Sequence, residues 1–413
     1  MVHGIGAAGT NPGLPPSYDA MSAGSARFAM FLIVALSIWA GMHAYVWWRL
    51  ASTPAVTALL SPRLIALLLA VLAFAYPVGR IFAHRDVVVI GYPLEVLGAS
   101  WMGVLLLLVM ALAAADLVFG ALRLGAALLP QIDEPRIWRP HGAAVVIALT
   151  LSAVALVQGL RGPVVSRHEA RLAGLPVERD GTVLVAVSDL HLGTLLGERW
   201  WQRRVAQIEA ERPDLVAVVG DLVDGNAEHV ERMVPALRQL RAPLGVFAVT
   251  GNHEYYAGLD HSVRVLEDAG FTVLRDRFVE PAPGLIVAGV DDATARRQFA
   301  RQGVSSAGLP AAALEQALRD RPPGGTVLLS HTPWAVDEAA RRAGAGLMIS
   351  GHTHDGQIWP FNYLVALQYP FIAGPYEVAG MKLIVGRGTG TWGPPMRLWR
   401  RGEILRITLR SAD

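Results

Sequence analysis

The sequence predicts an N-terminal α-helical transmembrane region of about four spans, followed by an α/β domain. Three observations carry this expectation. Of 413 residues, 53% are hydrophobic and only 17% charged, too apolar for an ordinary soluble chain. The apolar excess is concentrated before residue 161, in long runs with arginines at their borders. After it, short β-branched runs alternate with segments of helical spacing, the pattern of a layered α/β domain. The expected division is a disordered tail over 1–27, a transmembrane helical region over 28–160 and a second domain over 161–413.

Residues 1–27 are rich in Gly, Ala, Ser and Pro with few charges, a composition that favours disorder. Phe28–Trp48 is an uncharged apolar run of 21 residues, long enough to cross a bilayer as a helix. Tyr45, Trp47 and Trp48 close it, where aromatic rings favour the membrane interface. A cleaved signal peptide would show a shorter apolar core and an Ala-x-Ala site. Leu64–Gly79, 16 residues between Arg63 and Arg80, is short for a span. Val96–Gly120 has 25 residues and contains Asp116 near its end. A carboxylate facing central lipid is costly, so Asp116 is assigned to packing or snorkelling before any proton or ion role, and His43 is read the same way. Ala143–Leu160 adds 18 residues.

With four spans, both ends of the region lie on one side of the membrane. That side carries six nearby arginines (27, 80, 85, 161, 167 and 171) against five on the other (49, 63, 123, 136 and 139). The positive-inside rule therefore leans slightly toward a cytoplasmic second domain. Net charge is only +2 and basic residues form no long cluster, so no nucleic-acid partner is expected. The absence of cysteine excludes disulfides and thiolate ligands.

The second domain is organised around Thr182–His191, a buried-type strand running into Asp189 and His191. The pattern recurs. Leu215–Val219 runs into Gly220, Asp221 and Asp224; Val246–Val249 into Asn252, His253 and Glu254. Val327–Leu329 leads to His331, and Leu347–Ile349 to His352 and His354. Five runs deliver nitrogen and oxygen donors at the same end, where α/β crevices bind ligands, which points to a two-metal site. The donors suit manganese, iron or zinc better than copper(I). Val164–Leu172 is expected as an edge strand, and Leu285–Gly289, Leu383–Val385 and Ile404–Leu409 as further strands. Helices are expected over Glu198–Arg212, Glu228–Leu240, His261–Ala269, Ala311–Arg319 and Val336–Ala343.

The ordered set Asp-x-His, Gly-Asp-x-x-Asp, Gly-Asn-His-Glu, His and Gly-His-Thr-His resembles the calcineurin-like metallophosphoesterase family over roughly residues 163–413. The tail Gly351-His-Thr-His-Asp-Gly-Gln-Ile358 is similar to a membrane-associated bacterial branch, related to enzymes that cleave phosphodiesters and UDP-diacylglucosamine. This resemblance implies two packed sheets flanked by helices, with two divalent ions at the strand ends. It implies Asp221 as the bridge between them, with Asp189, His191 and His354 completing one shell and Asn252, His331 and His352 the other. Water activated between the ions would attack phosphorus. His253, as an imidazolium oriented by Asp224, would protonate the leaving oxygen; a helix-capping aspartate is the bland reading of Asp224.

Glu254 is read as structural support, and Asp291 and Asp292 as a turn with two solvated carboxylates. In the glycine-rich stretch 386–397, Arg387 or Arg397 would cradle a phosphate, although turn requirements explain the glycines equally well. The proline-broken aromatic run Gln357–Tyr376 is either a loop covering the core or an apolar lip, with Trp359 and Phe361 best placed to admit an acyl chain. The function expected is a membrane-anchored phosphoesterase acting on a phosphodiester, pyrophosphate or phosphomonoester, lipid-linked if the lip is real. Its expected place is a bacterial inner membrane. The alternative is a membrane scaffold or sensor that keeps the fold without turnover, against which the full donor set argues.

Overall fold

A computed structural model describes residues 18–85, 87–128, 140–225, 227–300 and 310–412, with the side chains of 18–28, 31, 84, 88, 297–300 and 310 outside the described set. Residues 1–17 of the expected tail lie outside the described residues, whereas 18–27 belong to a helix.

Four long helices lead the chain: α1 (Tyr18–Ala51), α2 (Pro62–His84), α3 (Val88–Leu128) and α4 (His141–Leu160). Among the described residues, three segments are long and apolar enough to cross a membrane: Pro62–Ala83, Val89–Leu128 and His141–Leu160. The short run Leu64–Gly79 thus sits in a helix of sufficient length, because its bordering arginines are helical too. The fourth expected span, Phe28–Trp48, falls within α1, part of whose side chains lie outside the described set, and it is not among the three.

Local chemistry accounts for these elements. Ser61 caps α2, its Oγ accepting from Leu64 N at 3.3 Å, and Pro62 follows at the first helical position. Helices α2 and α3 meet closely at Gly98, where a Cβ would lie 2.2 Å from Tyr76 N, the use membrane helices make of small residues. Asp116 is fully engaged. It accepts from Tyr45 Oη at 2.6 Å and Arg49 Nε at 2.9 Å, and lies 2.7 Å from His141 Nε2. His43 Nδ1 bonds Trp39 O, and its Nε2 accepts from Trp101. Both residues therefore pack the helices together. Nearer the start of α3, buried Glu95 pairs with Arg80 of α2 at 2.9 Å.

The rest of the chain builds two six-stranded sheets. The first has the order β1 (Val164–Leu172), β12 (Glu403–Ser411), β2 (Val183–Val187), β3 (Leu215–Val219), β4 (Val246–Val249) and β5 (Thr272–Val273). The second has the order β10 (Gly374–Val378), β11 (Met381–Val385), β9 (Leu347–Ser350), β8 (Gly325–Leu329), β7 (Leu285–Gly289) and β6 (Arg277–Ala282). Period-two alternation sorts each strand between two cores. Leu184, Leu215 and Phe247 meet Leu285, Val327, Leu347 and Ile384 between the sheets. Val185, Val216 and Val218 instead meet Trp201, Val205 and Ile208 of helix α5 (Glu198–Ala210). On the outer face of the second sheet, Leu328 and Met348 pack on Leu314 and Ala339.

The expected helix Glu228–Leu240 is instead two short pieces, Ala227–Glu231 and Val234–Leu237, because Pro235 cannot continue the first. Within the aromatic run 357–376, a seven-residue helix α6 (Asn362–Gln368) forms.

A third cluster joins the two halves of the molecule. Ile358, Met396 and Leu398 are buried with Trp101 and Leu105 of α3 and Ala155 of α4. Arg397 N also donates to Ala155 O at 2.8 Å.

Candidate metal centre

The loops after β2, β3, β4, β8 and β9 converge at one end of the facing sheets. Asp189, His191 and His354 form one donor group, and Asp221, His331 and His352 another; within each, the donor atoms lie within 4.8 Å of one another. His354 Nε2 lies 3.3 Å from Asp189 Oδ1, and His331 Nε2 3.1 Å from Asp221 Oδ2. His191 Nε2 stands 3.9 Å from the same Asp221 oxygen, so Asp221 lies between the groups. Asn252 is buried with its Oδ1 lacking any hydrogen-bond partner.

Bringing five loops this close requires backbone shapes that L-residues rarely adopt. Asp189, His191, Asp221, His352 and His354 all have φ between 46° and 70°. Such left-handed residues are unfavourable and cluster at functional sites. Gly251 is needed for a different reason: a Cβ there would lie 2.1 Å from Asp221 Oδ1.

Neighbouring groups fix the donors. His331 donates from Nδ1 to Val219 O at 2.9 Å, which leaves Nε2 for the site. His352 is held by Tyr369 Oη, 2.8 Å from its Nε2. Glu254 accepts from four backbone N–H groups, those of Asp221, Leu222, Val223 and Gly251.

Electrostatics follow the same geometry. Burial, with His253 alongside, pulls the His191 imidazole down to about 3, and burial with His331 alongside pulls His352 down to about 4. Both are neutral nitrogens ready to donate. Burial also opposes a charge on His331, but Asp221 outweighs it and holds that imidazole well above its ordinary value. A divalent cation would answer the same carboxylate charge. The neutral imidazoles of His191 and His352, the carboxyls of Asp189 and Asp221, held low against burial by neighbouring imidazoles, and the partnerless amide oxygen of Asn252 together fit a divalent-metal site.

His253 has a donor atom within 4.8 Å of those of His191 and Asp221 and pairs with Asp224, Nδ1 to Oδ1 at 3.1 Å. Burial lowers the His253 imidazole, but Asp221 and Asp224 overcome it and raise it to about 9. Tyr256 and Trp392 pack on its ring with centroids at 5.4 and 6.0 Å. Above these residues lies a cavity of about 620 Å3, whose lining includes His191, Asp221, Asn252, His253, His352 and His354.

Several expected residues lie elsewhere. Arg397 is buried, its guanidinium donating to the carbonyls of Arg387, Gly388 and Gly390, so it braces the loop and offers no face to a phosphate. Arg387 is turned to Glu403 at 2.9 Å, and neither arginine lines the cavity. Phe361 is in the lining but Trp359 is not. Asp291 and Asp292 are buried, not solvated. Asp291 takes Arg275 in a two-pronged bond and Arg296 at 3.0 Å, and Asp292 accepts from Ala295 N and Thr332 Oγ1. Tyr256, Tyr369 and Trp392 escaped the sequence reading as site residues. The aromatic density of 357–376 was the one signal for Tyr369.

Comparisons with known proteins agree with this geometry. A family model described as calcineurin-like phosphoesterase matches residues 182–356. A bovine protein named "Transmembrane protein with metallophosphoesterase domain" is 35% identical over 65% of this chain and 62% of its own length. A Danio rerio protein of that name is 34% identical over 77% of this chain and 74% of its own. An Aquifex aeolicus protein named as a metallophosphoesterase is 36% identical over 55% of this chain and 85% of its own. This chain thus spans less than two thirds of the bovine relative and about three quarters of the Danio rerio one. Ordered donor motifs, paired sheets and these likenesses agree, and the chain belongs to the calcineurin-like metallophosphoesterase family.

Proposed function

We propose that this chain is a membrane-anchored phosphoesterase with a dinuclear centre of manganese, iron or zinc. Residues 28–160 are its anchor and 161–413 its catalytic domain. It hydrolyses a phosphodiester, pyrophosphate or phosphomonoester bond. The observation that supports this most is the position of Asp221 between two donor groups. Asp189, His191 and His354 would hold one ion and Asn252, His331 and His352 the other, with Asp221 placed to serve both. When bound, two divalent ions supply activated water near neutral pH and offset the charge of the phosphate.

The protein's own part is proton delivery and positioning. With Nδ1 of His253 engaged by Asp224, its Nε2 is left to protonate the leaving oxygen. The lining aromatics Tyr256 and Trp392 fix the plane of that ring and keep water from it. A lipid-linked substrate is supported by Phe361 in the lining and by the apolar helices beside it. We place the anchor in a bacterial inner membrane; with four spans, the arginine balance of six to five leans slightly toward a cytoplasmic catalytic domain.

The test uses the purified full chain, with metal content measured alongside hydrolysis of bis-p-nitrophenyl phosphate. Two ions per chain and metal-dependent turnover are expected. Asp221→Asn should lose bound metal and lower kcat/KM by a factor on the order of 1000 or more. Two bound ions without hydrolysis of any mono-, di- or pyrophosphate ester would make the protein a scaffold instead.

A further inference from the structure

One wall of the catalytic cavity comes from outside the family motifs. Met102, Gly103 and Leu106 of α3 line it together with the donor residues, and Phe361 and Val365 add to the same apolar lining. Helix α3 is one of the three segments able to cross a membrane. Two sets of ionic contacts are spaced along it. Glu95 pairs with Arg80, and Asp116 with Arg49 and His141. These two carboxylates are about 32 Å apart along the helix at its standard rise, close to the hydrocarbon thickness of a bilayer, about 30 Å. Met102 and Leu106 lie about 10 and 16 Å beyond Glu95 along the helix, between the two ionic levels. The same helix exposes Leu97 on its opposite side and Met110 and Leu117 farther along the cavity-facing side, and α6 exposes Leu364 and Leu367. One helix therefore borders both lipid and the site.

We propose that the apolar half of this cavity is a hydrocarbon-chain site entered sideways from the bilayer, and that Met102 and Leu106 determine which chains the enzyme accepts. The occupant is the tail of a phosphate ester whose headgroup reaches the donor groups. This rests on the phosphoesterase reading above. Hydrocarbon at the α3 wall satisfies an apolar surface that a polar nucleotide or phosphopeptide would leave unmatched.

The test is a series of p-nitrophenyl alkyl phosphodiesters, methyl to octyl, with the full chain in phosphatidylcholine nanodiscs and added manganese. Each methylene moved from water to an apolar wall contributes up to about fourfold. The octyl-to-methyl ratio of kcat/KM should therefore be at least about 30 for the native chain. Leu106→Trp fills the wall and should bring that ratio below about three, while Leu106→Ala should shift the preferred chain to greater length. Leu117→Trp, at an exposed position farther along the same helix, should leave the ratio as it is. Bound metal is measured in each variant, so that a misfolded protein is recognised. A native ratio near one with good turnover overturns the chain site alone. So does an equal loss on both esters in Leu106→Trp with its metals retained. Failure of the metal-loaded native chain to hydrolyse any ester overturns the phosphoesterase reading and the chain site with it.

Discussion

The carboxylate of Glu254 holds the backbone of Asp221. Its Oε2 accepts from Asp221 N at 3.0 Å and Gly251 N at 2.6 Å, and its Oε1 from Leu222 N and Val223 N at 2.8 and 3.0 Å. Two loops are thereby locked together with Asp221 in its left-handed shape. Glu254→Gln would turn an amide NH2 toward N–H groups, leaving buried donors unmatched at a cost of about 1–3 kcal/mol. A lower Tm and weaker metal binding are expected. Calorimetry with metal titration checks both, and a native Tm with native affinity would mean that the loops are held by other contacts.

Tyr369 acts on the centre through His352. Removing its hydroxyl in Tyr369→Phe should weaken metal binding about 10- to 100-fold, the usual effect of losing a partner of a metal-binding histidine. Saturating metal should restore kcat. A kcat that stays low at saturation would place Tyr369 on the substrate instead.

The His253–Asp224 pair predicts dependence on the leaving group. His253→Asn should lower kcat by about 100- to 10000-fold for an alkoxide leaving group. The loss should be much smaller for p-nitrophenolate, which departs without a proton. Metal content should not change. Equal losses on both substrates would remove proton delivery from the role of His253.

Asp291 links stability to pH away from the donor groups. Burial raises its carboxyl, but Arg275 and Arg296 overcome this and hold it below the ordinary carboxylate range. A depressed acid stabilises the fold above its unfolded value and loses that contribution as pH falls toward the folded one. The native chain should therefore lose Tm below about pH 4. Asp291→Asn should flatten that limb and destabilise by about 1–3 kcal/mol at neutral pH. A native-like acid limb in the variant would assign the loss to other carboxylates.

The candidate donors were legible in the sequence because each follows closely on a strand whose apolar run is local and continuous. So were the helices whose period is clean, such as α5 with Trp201, Val205 and Ile208. Burial of Asp291 and Asp292 was hidden because their partners Arg275 and Thr332 come from separate segments. Arg397 looked like a phosphate ligand because it closes a glycine-rich stretch, and nothing in that stretch signals the carbonyls its guanidinium will meet. The left-handed shapes of five site residues left no mark, since aspartate and histidine do not advertise φ as glycine does. The α3 wall was equally invisible, because Met102 and Leu106 read as ordinary membrane-helix residues and stand some 80 positions before Asp189.

Arg397 has one end in each half of the protein. Its backbone N–H is bonded to Ala155 of α4, while its guanidinium gathers the loop carbonyls and lies 3.5 Å from His354 Nδ1. A bilayer thicker or thinner than the helices prefer is relieved by tilt, and a tilt of α4 would load its contacts with Arg397, Met396 and Leu398. Hydrophobic mismatch would thereby reach the candidate donor His354 through Arg397, and metal affinity should then vary with the acyl length of the surrounding lipid.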